Sequence, residues 1–107
     1  MLTDTRYYEL LDEATIDCYG EEEEFTGVLC TLVDNLNFPL RAILAGAPVT
    51  VHALDEGRST LRRGIVATIE RSGETYHVSL ADLVFVNPDD SSAEWLEVVR
   101  RWSGMPS

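Results

Sequence analysis

The residues most able to do chemistry in this chain are its carboxylates. Ten acidic side chains and only Arg6 as a base fall in residues 1–34, a local charge of −9 within a total of −11. Residues 35–88 carry five charges of each sign, and 89–107 add −2. The negative charge therefore gathers around Asp12, Glu13, Asp17 and the run Glu21–Glu24. Such a field attracts cations and repels polyanions. Hard oxygen donors in this number suit calcium, which takes six to eight oxygens from carboxylates, carbonyls and water and tolerates irregular geometry. No EF-hand is present: setting Gly20, Gly57 or Gly73 at the loop glycine puts Thr26, Arg63 or Ser79 where a bidentate Glu is required. A site must then be assembled from separate segments.

Elements are needed to carry these groups. Tyr7, Leu10, Leu11 and Ala14 recur at helical spacing after Asp4 and Thr5, which are placed to cap a short amphipathic helix. Phe25, Val28, Leu29, Leu32, Val33 and Leu36 form the stripe of a second, stronger helix that ends near Asn37. Pro39 biases Phe38 to extended backbone and turns the chain into β structure. Five short strands follow, at 40–44, 49–54, 64–71, 74–80 and 83–86, with Gly46-Ala47-Pro48 and Ser72-Gly73 as breaks and a longer loop around 56–60. Strands this few and short predict a small five-stranded SH3-like β-barrel or rolled sheet. Asp90 or Ser91 caps a last helix with Trp95, Leu96, Val99 and Trp102 on its docking face. The fold class is α+β, with two N-terminal helices and one C-terminal helix. With no linker or repeat, the chain reads as one domain in three zones: 1–37 acidic and helical, 38–87 the barrel, 90–104 the closing helix.

On a wheel with Phe25 at zero and about 100° per residue, Glu21 lies at about 320° and Glu22 at about 60°, both bordering the apolar stripe, while Glu23 at about 160° faces solvent. Glu21 and Glu22 are thus expected to lean toward the barrel. Asp17 lies within reach of the same helix end, and further ligands are expected from Asp82, in a turn between strands, or from Asp89 and Asp90 before the last helix. Asp34 is roughly 16 Å along the axis from Glu23 and serves a second site or none. Each carboxylate also has a plain structural use: first-turn glutamates favour the helix dipole, Asp17 and Asp90 suit N-caps, and Asp89 suits the turn after Pro88. Asp34 alone is poorly placed against the dipole.

The segment Asp17-Cys18-Tyr19-Gly20-Glu21-Glu22-Glu23, then Gly27, then Asp34-Asn35-Leu36-Asn37-Phe38-Pro39-Leu40-Arg41-Ala42 resembles the bacterial calcium-binding family first described in cyanobacteria. The likeness continues through 46–51, the hairpin within 64–83, and the helix with Trp95 and Trp102. It implies an SH3-like fold with flanking helices that binds calcium ions reversibly through carboxylates, for buffering or sensing in the cytoplasm. Catalysis is not implied. The extension 1–15 has no counterpart in it.

Other chemistries have less support. Cys18 and Cys30, twelve apart, read as reduced thiols rather than a C-x-x-C pair. His52 and His77 lack the neighbours of a zinc site and read as half-exposed strand residues. Ser79, His77 and Asp82 lack a nucleophile elbow. With eight Arg, no Lys and nineteen carboxylates, nucleic-acid and anionic-membrane binding are disfavoured. No apolar run approaches the roughly 18 residues that span a bilayer, and the N-terminus has no signal-peptide pattern, so a cytoplasmic location is expected. The competing functional reading is an acidic SH3-like interaction module that steers a basic protein partner without a specific metal site.

Overall fold

The computed structural model describes residues 2–103. Three helices and five strands run in the order α1 (Asp4–Ala14), α2 (Glu21–Asn35), β1 (Leu40–Leu44), β2 (Ala47–Leu54), β3 (Val66–Arg71), β4 (Glu74–Ser79), a 3₁₀ turn (Leu80–Asp82), β5 (Leu83–Phe85) and α3 (Asp90–Ser103). The last helix was expected to reach Gly104, which lies outside the described residues. Among the described residues no helix is long and apolar enough to cross a membrane.

The helix starts differ from expectation in a way that hydrogen bonding explains. Thr3, not Asp4 or Thr5, caps α1: its Oγ1 accepts from Arg6 N at 3.1 Å. Gly20 opens α2 with φ 94° and no side-chain cap, and the Glu23 carboxylate reaches back past it to accept the Tyr19 amide at 2.6 Å. Asp89, not Asp90 or Ser91, caps α3, its Oδ2 accepting from Ser92 N at 3.1 Å. A helix N-terminus presents unpaired N–H groups. In α1 and α3 the residue that meets them sits one or two places earlier than the hydrophobic pattern alone suggests.

The sheet is antiparallel throughout, in the order β4-β3-β2-β1-β5. It is open: β4 and β5 are its edges and do not pair with each other. Of the five-stranded barrel or rolled sheet expected, the five antiparallel strands are present and the barrel is not closed. β5 has only three residues, which pair with Leu44, Ile43 and Ala42 of β1. The hairpin turns are two-residue, Ala45-Gly46 and Ser72-Gly73, with positive φ at all four residues, the form that matches strand twist. Ala47 and Pro48, expected in the break, already belong to β2. Gly64 and Ile65, expected to start β3, lie instead in the β2–β3 loop, where Gly64 pairs with Thr60.

The faces sort as period and helix stripe require. Ala67 and Ile69 of β3 point inward while Glu70 is exposed, and Val49, Val51 and Leu54 of β2 join the same interior. Phe25, Val28, Leu29 and Leu32 of α2, Leu10 and Ala14 of α1, and Trp95, Val98 and Val99 of α3 complete a single apolar cluster. Trp102 packs at its edge, its ring 6.3 Å from that of Phe25. Two polar residues inside are satisfied. Ser92 Oγ accepts from Asn37 N at 3.0 Å, and Asn37 Nδ2 donates to Asp89 Oδ2 at 2.8 Å, so the end of α2 is tied to the start of α3. Ser59 Oγ donates to Asp55 O and accepts from Val66 N, at 2.6 and 2.8 Å.

Candidate metal centre

The first turn of α2 places four consecutive carboxylates around one helix tip, so they point to different sides. Glu21 and Glu24 line a groove of about 480 Å³ whose floor includes Phe25 and Trp102 and whose far wall is the loop segment 61–65. Glu22 and Glu23 line a shallow surface on the other flank with Asp17, Cys18, Gly27 and Cys30. Glu24 is half-buried, whereas Glu21, Glu22 and Glu23 are exposed. The expectation that Glu22 leans toward the sheet is corrected: Glu24 accompanies Glu21 there. The flank expected to receive Glu22 is occupied by the turn that leads out of α1. An added Cβ on Gly27 would lie 2.5 Å from Ala14 O and 3.0 Å from Cys18 Sγ, which shows how closely that turn approaches. Glu24 lies one helical turn before the buried Val28 on the same side of the stripe, and that spacing is the signal that finds it from sequence.

The remaining carboxylates lie elsewhere. Asp17 adopts φ 59° in the α1–α2 connection and is exposed, without capping α2. Asp82 ends the 3₁₀ turn and is exposed; Ser79 and Ala81, but not Asp82, line the Glu21 groove. Asp89 is bonded to Asn37, beyond the far end of α2, and fifteen residues at 1.5 Å put that end roughly 20 Å from Glu21. Asp90 lines a separate hollow with Arg6, Glu94, Glu97 and Arg100. Asp34 is exposed in the last turn of α2. The structure thus gathers Asp17 and Glu21–Glu24 about one helix end and leaves Asp34, Asp82, Asp89 and Asp90 apart from them. Among the described residues no group of three or more His, Cys, Asp or Glu side chains converges closely enough to hold an ion.

Electrostatics separate the same two groups. The arginines of α1 and α3 neutralise their neighbours: Arg6 pairs with Glu94 at 3.1 Å, Arg101 with Glu97 at 3.0 Å and Asp4 at 3.2 Å, and Arg100 also binds Glu97. Among the described residues no cation pairs with Asp17 or Glu21–Glu24. Burial pushes the Cys18 thiol up, and the charges of Glu23, Glu24 and Asp17 push it further. Both cysteines are free thiols. Hydrogen bonds from Ser92, then Asn37, hold the Asp89 carboxyl below the usual carboxylate range. The histidines, half-exposed strand residues as expected, each meet a carboxylate: His52 Nε2 lies 2.7 Å from Glu70, and His77 Nε2 lies 3.3 Å from Asp55. Strand register brings His52 of β2 to Glu70 of β3, and the path of the chain just past β2 brings Asp55 to His77 of β4.

The donors at this helix end are mostly carboxylate oxygens without a paired cation, the kind a hard divalent ion takes, and the Cys18 thiol beside them is held toward its protonated form. Residues 9–103 match the model of the CcbP family, described as calcium binding, so the family reaches back into the segment 1–15 that was expected to lie outside it. The chain belongs to this calcium-binding family, which is defined by an ion rather than by a reaction. No curated protein matches it. Among solved structures, the crystal structure of Anabaena CcbP is similar with a TM-score of 0.86 at 17% identity, over 98% of this chain and 94% of that one. A calcium-binding protein in its calcium-binding form gives 0.80 at 19% identity, over 94% and 91%. These likenesses establish the shared fold.

Proposed function

We propose that this calcium-binding protein takes up Ca2+ reversibly through the carboxylates around the N-terminal tip of α2, for buffering or sensing in the cytoplasm. The observation that carries the reading is the set Asp17, Glu21, Glu22, Glu23 and Glu24, gathered at one helix end without a paired cation. Four or five negative charges outweigh the roughly half positive charge of the helix terminus. The carboxylates do not converge without an ion, so binding draws side chains from both flanks of the tip toward it. Asp34, Asp82, Asp89 and Asp90 lie outside this set and are given no part in it. The segments 1–37, 38–87 and 90–104 act as one unit, since all three feed one apolar cluster. No catalytic step is assigned.

The test is thermal unfolding with and without calcium. At a hundredfold excess over Kd, linkage stabilises the folded state by about 2.7 kcal/mol, a rise in Tm of roughly 10 °C or more for a chain this size. The Glu21→Gln/Glu22→Gln/Glu24→Gln variant should lose that rise. A rise that magnesium or sodium chloride matches would favour the interaction-module reading, in which the acidic tip steers a basic partner.

A further inference from the structure

The groove that holds Glu21 and Glu24 has a basic wall. Arg62 and Arg63 line it from the β2–β3 loop, opposite the α2 tip. Both are exposed, and among the described residues neither makes an ion pair. Their position is built rather than incidental. Asp55 anchors the loop base by accepting Arg58 N at 3.0 Å and the Arg58 guanidinium at 2.9 Å, beside His77 of β4. Buried Ser59 links Asp55 O to Val66 N. At the tip, Thr60 and Gly64 exchange backbone hydrogen bonds of 3.2 and 2.7 Å, and Thr60 Oγ1 accepts from Arg63 N at 3.0 Å. These bonds hold the loop backbone, so Arg62 and Arg63 stay tethered at the groove on their side chains.

The geometry points to Arg62 and Arg63 as affinity-setting residues: tethered cations that oppose calcium uptake at Glu21 and Glu24 and so hold the site to a weaker, more readily reversed affinity. This rests on the calcium reading above. The carboxylates attract the ion, and the guanidinium groups repel it across the same groove while offsetting part of the acidic field. Removing the loop charges therefore tightens binding, and the gain shrinks as salt rises. For a divalent ion on the order of 10 Å from each guanidinium, at about 0.05 M ionic strength, screened Coulomb repulsion predicts about fourfold tighter calcium binding without the two charges.

The experiment is calcium titration calorimetry on three double variants of the whole chain at about 0.05 M and about 0.5 M ionic strength. Arg62→Gln/Arg63→Gln should bind calcium about fourfold more tightly at the lower salt and about equally to the unsubstituted chain at the higher. Arg62→Lys/Arg63→Lys, which keeps both charges, should bind like the unsubstituted chain. Arg41→Gln/Arg71→Gln changes the net charge identically on residues that line a different hollow, and should gain less than about 1.5-fold. A gain in affinity cannot arise from damaged folding. Unchanged affinity in the Arg62/Arg63 Gln variant, or a gain equal to that of the Arg41/Arg71 pair, overturns the inference while leaving calcium binding intact. No calcium heat from the unsubstituted chain would overturn the calcium reading itself.

Discussion

Gly27→Ala sets two physical effects against each other at the junction that shapes the acidic tip. Gly27 lies within α2, where alanine is favoured over glycine by about 1 kcal/mol. On propensity alone the variant should be more stable. The new methyl, however, would sit 2.5 Å from Ala14 O and 3.0 Å from Cys18 Sγ. The first neighbour is a backbone carbonyl in the last turn of α1, so no side-chain rotation relieves the contact. Overpacking costs about 1–3 kcal/mol, and a backbone clash belongs in the upper part of that range, leaving a net loss of about 1–2 kcal/mol. For a chain of this size that lowers Tm by roughly 5–15 °C. Relief requires α1 and α2 to separate, which shifts Cys18 and Asp17 away from Glu22 and Glu23 and should weaken calcium binding as well. Circular-dichroism melts and urea unfolding of Gly27→Ala read the first effect, and calcium-dependent stabilisation the second. Thr26→Ala, at an exposed neighbouring position, controls for propensity and should be neutral or mildly stabilising. A Gly27→Ala protein as stable as the unsubstituted chain, or more so, would refute the close approach of the two helices.

Three other outcomes follow from the same structure. Ser59→Ala removes the acceptor of the buried Val66 amide, so stability should fall by about 1–3 kcal/mol in denaturant titration; an unchanged midpoint would mean that the β2–β3 loop is not held through that hydroxyl. The Asp89 carboxyl is held below its unfolded value of about 3.9 by Ser92 and Asn37, so its stabilisation is fully present above that pH and is lost as pH falls through the depressed folded value. The Tm gap between the unsubstituted chain and Asp89→Asn should accordingly be constant from about pH 5 to 7 and narrow below about pH 4; a gap that widens on acidification would contradict the assignment. Trp102→Leu removes the ring packed against Phe25 at the groove floor and should lower stability by about 1–3 kcal/mol, measured by denaturant unfolding, with an unchanged value showing that the end of α3 is not docked.

The elements were legible in the sequence where a period repeats. The α2 stripe from Phe25 to Leu36 and the β1 strand Leu40–Leu44 stand where patterning placed them, and Trp95 and Trp102 dock α3 as their spacing predicts. The caps at Thr3 and Asp89 were less legible, because several adjacent polar residues satisfy the same rule and only the local hydrogen bonds choose among them. Barrel closure was not legible, since it depends on the short β5 and on which strands meet at the edges. For the site, composition located the acidic end of the chain, and the wheel placed Glu21 in the groove. It misplaced Glu22 and missed Glu24 because one helix takes no account of the Ala14–Cys18 turn packed against Gly27. The histidine–carboxylate pairs and the Arg62/Arg63 wall depend on strand register and loop path, which no short-range pattern encodes.

The most direct test of the account is a calorimetric calcium titration of the chelator-stripped chain at about 0.15 M salt, with magnesium as control. It should be run beside a variant in which Glu21, Glu22, Glu23 and Glu24 are all replaced by Gln. The account predicts saturable calcium heat in the unsubstituted chain that magnesium does not reproduce and that the four-residue variant lacks. Equal heat from both ions, or calcium heat that survives the loss of all four glutamates, would contradict the placement of the site at the tip of α2.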